Sequence, residues 1–135
     1  MSTVYQIEVG KDEEIREKIL GFILQKRWNG ALVIGAIGSV KEVRYFTPTG
    51  TDFPPRLEST TIAAPAEILS FIGEVMRAEQ IPSSLREAYK IDGDYFLHIH
   101  ASMAVAGGHV YGGGFQYGYA LRGVNVFIQK APNHT

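Results

Sequence analysis

The sequence predicts a single α+β domain in which one main α-helix packs against a β-sheet. A stripe of apolar residues at helical spacing occurs near the N-terminus, and most of the remaining chain alternates or forms short apolar runs bounded by Gly and Pro, which is typical of strands. The chain has 135 residues, 45% of them hydrophobic. This size suits one compact core, so we expect residues 1–135 to form one domain.

Two periodicities predict the first elements. Apolar and polar residues alternate from Val4 to Val9, which indicates a half-buried strand. Asp12 stands at the expected N-cap of a helix that ends near Lys26 or Arg27. The apolar stripe of this helix consists of Ile15, Ile19, Phe22 and Ile23.

The next segment predicts a hairpin. Ala31 to Ile37 is a continuous apolar run, typical of a buried central strand. A Gly38-Ser39 turn would join it to an alternating strand from Val40 to Phe46. The segment from Thr47 to Arg56 is rich in Pro, Gly and Thr, which indicates a loop.

Three further strands are predicted, at Leu57–Ala63, Ala66–Val75 and Tyr119–Gln129. Gly73 lies inside the second of them, which indicates a bulge or a close approach of another backbone. We expect a disordered tail from about 130 to 135.

A long excursion, residues 76–94, separates two of these strands. It contains one short predicted helix that ends at Tyr89, with Ser83 or Ser84 as its N-cap. Excursions of this length are usually functional or mobile.

The stretch from Tyr95 to Phe115 is predicted to be a β-hairpin with its turn at Val105–Gly108, and it holds three of the four histidines. Because side chains repeat every two residues along a strand, His98 and His100 should share a face with backbones roughly 6 to 7 Å apart. Two adjacent imidazoles can share a metal, a phosphate or a carboxylate. The alternative is two strand histidines that bond to backbone or solvent.

The third histidine should lie apart from this pair. With the turn centred near residues 106 and 107, His109 would face Ala104, and Gly114 would face Ile99. The backbone of His109 would then lie about 13 Å from that of His100, too far for one metal to bridge within a subunit.

Composition argues against several classes of function. The formal net charge is −1, so no overall positive field attracts nucleic acid. Cysteine is absent, which excludes disulfides and thiolate metal ligands. The N-terminal residues lack the pattern of a signal peptide, and no apolar run is long enough to span a membrane. We expect a cytoplasmic protein without a membrane partner.

Several segments together resemble the plant-and-prokaryote-conserved (PPC) domain, a family of unknown function. They read GKDEEIREKILGFILQKRWNGALVIGAIGSVKEVRYF, AEILSFIGEV, FLHIHASMAVAGGHVYGGGF and GVNVFI. The resemblance implies a mixed, mostly antiparallel β-sheet with one helix against it, a homotrimer, and a distant fold relation to acetolactate decarboxylases. It also implies a "putative DNA-binding" label, although the charge of this chain does not support direct DNA binding.

Many members of the family carry three histidines that can form a metal site like the zinc site of the decarboxylases. The resemblance places His98 and His100 on the first two ligand positions. Gly112 and Gly113 take the family's glycine pair, and Gly114 replaces the third histidine. The remaining candidates for completing a site with a divalent metal such as zinc are Glu67, if its strand lies beside the pair, and His109 of a neighbouring subunit.

Two functions follow from these observations. The first is a trimeric, non-catalytic binding or regulatory module whose small-molecule or protein ligand contacts His98, His100 and the glycines 112–114, which let a ligand approach the backbone closely. The alternative is a metal-dependent enzyme distantly related to acetolactate decarboxylase that uses the histidine pair.

Overall fold

The computed structural model describes residues 3–132. Within them, one six-stranded sheet is accompanied by two helices and a 3₁₀ turn at Ala78–Gln80. The helices are α1 (Ile15–Lys26) and α2 (Ser83–Ala88). The strands are β1 (Tyr5–Gly10), β2 (Ala31–Pro48), β3 (Leu57–Ile62), β4 (Ala66–Arg77), β5 (Tyr95–Ala104) and β6 (Val110–Lys130). Lys130, where the predicted tail begins, is the last residue of β6, and residues 133–135 of that tail, including His134, lie outside the described residues.

The sheet closes on itself. Its strand order is β1-β6-β5-β4-β2-β3, and an additional pairing of β6 with β2 joins β2, β4, β5 and β6 into a ring. All pairings between these strands are antiparallel. The predicted α+β fold, a mostly antiparallel sheet with one main helix, is confirmed. No helix within residues 3–132 has the length and apolar character needed to cross a bilayer.

Helix α1 covers one side of the sheet. Its residues Ile15, Ile19 and Ile23 are fully buried, as the apolar stripe predicts, and the helix packs against β1 and β6. The predicted N-cap was wrong. Asp12 has φ +67°, outside the extended region that an N-cap needs, and it forms an ion pair with Lys41. Glu14 caps the helix instead, because its carboxylate accepts hydrogen bonds from the backbone N–H groups of residues 16 and 17 at 2.8 and 2.9 Å.

The hairpin predicted at Gly38-Ser39 is absent, because β2 runs without interruption through these residues. Gly38 lies at a bulge, where the pairing with β6 shifts between Gly38 and Val40. Its φ of +142° and the 2.8 Å between its hypothetical Cβ and the Cα of Val124 both require glycine. The residues that resemble a turn therefore bend a long strand instead of reversing it.

The second arm of the predicted hairpin and the predicted last strand also form one element, β6.

A hydrogen bond joins the two ends of the excursion between β4 and β5. The backbone N–H of Ala78 donates to the carbonyl of Asp94 at 2.8 Å. The short helix α2 is present, but neither Ser83 nor Ser84 caps it. Pro82 occupies the N-cap position and makes no side-chain cap.

Candidate functional site

Alternation along β5 points the two histidines outward. Tyr95, Leu97, Ile99, Ala101 and Met103 are buried inside the ring of strands. His98 is half-buried and His100 is exposed on the opposite face. Their ring centroids lie 5.1 Å apart at an angle of 87°, so the predicted side-by-side pair is present.

The histidines continue a line of aromatic rings. Phe96 precedes His98 by two residues on the same face, and the two rings stack with centroids 5.3 Å apart and 15° between their planes. Tyr89, which follows α2, packs on Phe96 at 5.5 Å. We call these four side chains, Tyr89, Phe96, His98 and His100, the ring ladder.

The hairpin register differs from the predicted one by a single residue. Ala104 faces Val110, and Gly114 faces His100 instead of Ile99. The turn spans one more residue than expected, because the backbone N–H of Val105 donates to the carbonyl of His109 at 2.9 Å. His109 lies at this exposed turn, away from the pair, as the prediction placed it.

Glu67 does not lie beside the histidines. Its strand, β4, does pair with β5, but the register puts Glu67 opposite Ala104, whereas His100 lies opposite Ile72. Five residues of extended strand separate the two positions, roughly 16 Å. The carboxylate opposite His98 belongs to Glu74. Sequence analysis missed Glu74, because the β4–β5 register is not encoded locally.

The environment of His98 lowers its pKa below the ordinary value. Partial burial is the main cause, since it disfavours the charged imidazolium, and the neighbouring His100 adds to the effect. Glu74 opposes both by favouring the cation. At neutral pH, His98 is therefore a neutral imidazole with one hydrogen-bond donor and one acceptor.

A cavity of about 370 Å³, the histidine cavity, opens beside the ring ladder. It is formed by residues of β2, β3, β4, β5 and β6 together with loop residues. Its lining residues are Phe46, Thr47, Pro48, Pro55, Leu57, Ser70, Tyr89, Phe96, Leu97, His98, Ile99, His100, Ala101, Gly113, Gly114, Phe115 and Gln116.

Two of the three candidate glycines line this cavity, Gly113 and Gly114. Gly112 instead packs on β5, where a Cβ would lie 2.6 Å from the carbonyl oxygen of Ala101. Gly114 has space, since its nearest neighbour would be the Phe46 carbonyl oxygen at 3.4 Å. The cavity thus extends to Gly114, which lies opposite His100 on β6 and has no side chain.

Most of the apolar residues that line the cavity were not predicted from the sequence. Phe96 could have been found, because its spacing from His98 places both on one face. Phe46, Leu57 and Tyr89 come from segments far apart in the chain, and only the strand order brings them together.

The side chains of one chain do not fit a zinc site. Residues 3–132 contain no group of three His, Cys, Asp or Glu side chains placed to hold one ion. A structural zinc needs four protein ligands and a catalytic zinc usually three, whereas two imidazoles are available here.

A family model describes nearly the whole chain. The model of the Plants and Prokaryotes Conserved (PCC) domain matches residues 1–132. The chain belongs to this family. The membership confirms the family resemblance that the sequence segments indicated, including the one with the H-x-H motif on β5 of this PCC domain.

Solved structures share the fold of this PCC domain. A plant- and prokaryote-conserved protein from Pyrococcus horikoshii is 22% identical, with a TM-score of 0.76 over 100% of this chain and 85% of its own. A metal-containing protein from Archaeoglobus fulgidus is 23% identical, with a TM-score of 0.70 over 95% of this chain and 79% of its own. A protein from Ralstonia eutropha described as a "putative DNA-binding protein" is 12% identical, with a TM-score of 0.72 over 96% and 78%. No curated protein matches the chain.

Proposed function

We propose that this PCC-domain protein is a non-catalytic binding module that works as a homotrimer and receives a small molecule in the histidine cavity. The observation that carries the proposal is the cavity itself: a concave, mostly apolar site with two convergent imidazoles is the usual form of a small-molecule site. Its walls lie on paired strands, which hold the lining side chains in fixed positions.

Self-association is supported by an apolar patch on the outer face of β2 and β4. Ile34, Ile37, Leu69 and Ile72 are large apolar side chains, each exposed by 46 to 64%. Val33 pairs with Gly73, which brings Ile34 and Ile72 to adjacent positions. Exposed apolar groups that cluster in this way usually mark an interface, and the family resemblance supplies the trimer.

Direct DNA binding is not part of this proposal, although related structures include proteins described as "putative" DNA-binding proteins. The chain carries 13 Lys and Arg against 14 Asp and Glu. Without an excess of cations, it has little to neutralise phosphates with.

A metal-dependent enzyme distantly related to acetolactate decarboxylase is the second candidate. The specific observations in its favour are the His98–His100 pair and the structural similarity to a metal-containing protein. It requires a third ligand from another subunit, for which His109 is the candidate.

Light scattering and elemental analysis of the purified protein, prepared without a His tag, test these proposals together. We expect a trimer without stoichiometric zinc, nickel or iron. A monomeric wild-type protein would contradict the trimer, and stoichiometric metal that disappears in the double variant His98→Gln/His100→Gln would favour the enzyme.

A matched pair of variants tests the patch. Ile72→Glu places a charge in it, so the trimer should dissociate. Leu24→Glu is the control, because Leu24 on α1 has nearly the same exposure, 57% against 59% for Ile72, and we expect it to leave the trimer intact. Equal effects of the two variants would count against the patch as the interface.

A further inference from the structure

We infer that the histidine cavity binds a neutral, planar aromatic molecule that carries one hydroxyl or N–H group. This inference rests on the proposed binding function and specifies its class of ligand. Three properties of the cavity support it: the charge of its lining, the arrangement of its rings, and the hydrogen-bonding groups at one side.

The charge of the lining argues against an ionic ligand. Among the described residues, those that line the cavity include no Asp, Glu, Lys or Arg. Glu74 lies with Ile72 in a shallow depression on the other side of the two histidines. An anion would enter an apolar site without a cation and close to a carboxylate, which costs free energy. A phosphate ester would also lack the Arg or Lys partners that such ligands normally have.

The rings give the cavity a preference for flat apolar ligands. The ring ladder forms one wall, and Phe46 of β2 and Phe115 of β6 are also in the lining. Aromatic groups gain from offset-stacked or edge contacts with such walls. Because Gly114 has no side chain and a Cβ there would meet nothing nearer than 3.4 Å, a ring can lie directly against the backbone of β6 at this position. A cavity of about 370 Å³ is at the small end of ligand sites, which suits a bicyclic ring.

The imidazole pair provides the polar contact. A neutral imidazole offers one donor and one acceptor. It can therefore donate a hydrogen bond to a hydroxyl group or accept one from it. The Ser70 hydroxyl, also in the lining, is already bonded to that of Ser102 at 2.6 Å. The ligand's polar group should therefore point toward His98 and His100.

Calorimetric titration with three probes on one ring system tests the inference. The probes are 2-naphthol, 2-naphthoate and 2-naphthyl phosphate, at pH 8, which lies above the lowered pKa of His98. We expect one 2-naphthol per chain, bound at least tenfold more tightly than either anion. In wild-type protein, 2-naphthol should also shift the imidazole NMR signals of His98 and His100 but not that of His109.

Two variants localise the binding. Gly114→Leu fills the cavity from a position with space for a side chain, and it should abolish binding. Gly21→Leu is the matched control on the exposed face of α1, where no atom lies within 4 Å of a new Cβ, and it should bind like wild type. The double variant His98→Phe/His100→Phe keeps the rings but loses the hydrogen bonds, so affinity for 2-naphthol should fall about tenfold, the effect of one hydrogen bond.

The outcomes separate this inference from the proposal on which it rests. Tighter binding of an anionic probe, lost in Gly114→Leu, would overturn the neutral ligand class and leave the binding site in place. Binding of 2-naphthol without a shift of the His98 and His100 signals would place the ligand elsewhere and overturn the inference. If none of the three probes binds, both the ligand class and the binding function of the cavity are overturned.

Discussion

Two concave sites on the ring of strands differ in chemistry. The histidine cavity has a volume of about 370 Å³ and is lined mainly by aromatic and apolar residues. The second site, which we call the glycine groove, has about 740 Å³. Its lining residues are Gly38, Ser39, Pro65, Ala66, Glu67, Ala104, Val105, Ala106, Gly107, Gly108, Leu121, Arg122 and Gly123.

The comparison shows that volume does not identify the better ligand site. The glycine groove is larger, but turn and bulge backbone form much of it, and its two charged side chains, Glu67 and Arg122, have opposite signs. The histidine cavity is smaller and has rings at defined spacing. Rigid side chains with few polar groups are what a specific small-molecule site needs.

The largest effect is expected from Gly73→Ala, which disturbs the strand contact beneath the histidines. A Cβ at Gly73 would lie 2.7 Å from the Cα of Ile99, so β4 and β5 would have to separate at His98. We expect a loss of about 2 to 3 kcal/mol in the free energy of unfolding, measured by urea denaturation. Gly35→Ala on β2 is the control, because nothing lies within 4 Å of its Cβ. Similar losses in both variants would show that β4 and β5 do not depend on this contact.

The second test adds an imidazole to each of the two sites. Gly114→His places a third histidine opposite His100, so the variant should bind zinc at one ion per chain, whereas wild type should not. Glu67→His adds the same group at the glycine groove, and we expect no stoichiometric zinc from it. Metal analysis after dialysis measures both, and zinc uptake by Glu67→His alone would contradict the expected difference between the two sites.

The third test is the pH dependence of stability. Because the folded state lowers the pKa of His98 below the ordinary 6.5, the unfolded chain binds more protons once the pH falls below about 6.5. The contribution of neutral His98 to stability is therefore complete above that pH, and it is lost as the pH falls through the lower pKa of the folded state. Urea denaturation at several pH values should show a smaller loss of stability on acidification for His98→Phe than for wild type. Identical pH profiles would argue against a lowered pKa.

The smallest effect concerns the two carboxylates. Glu74 favours the protonated form of His98, so Glu74→Gln should lower the pKa of His98 further. Glu67→Gln removes a carboxylate at the glycine groove and should leave this pKa unchanged. NMR titration of the imidazole signals measures both, and an equal shift in the two variants would refute the observed β4–β5 register.

Local patterns predicted the parts of this fold that depend on a single segment. The stripe of α1 and the shared face of His98 and His100 follow from periodicity. β4 begins at Ala66 as predicted but continues beyond the predicted end at Val75, to Arg77. Gly38 failed as a turn signal, because a glycine that permits a bulge looks the same in sequence as one that permits a reversal.

The candidate site was predicted only in part. The histidine pair and the missing third histidine at Gly114 were predicted. The residue opposite Gly114 was predicted to be Ile99 but is His100, because the loop between β5 and β6 is one residue longer than predicted. The choice between Glu67 and Glu74, and the membership of Phe46 and Tyr89 in the cavity, depend on how distant strands align. No local preference determines that alignment.

The closure of the ring by β6 also sets an order of events during protein synthesis. This strand pairs with β1, β2 and β5, and Tyr5 near one end of the domain faces Ile128 near the other. A nascent chain that has not yet released β6 from the ribosome can assemble β2, β3, β4 and β5, but it leaves open edges along β2 and β5 and an uncovered apolar face on α1. Unpaired edges of this kind are prone to aggregation, so the time between translation of β5 and release of β6 is when this domain most needs a chaperone.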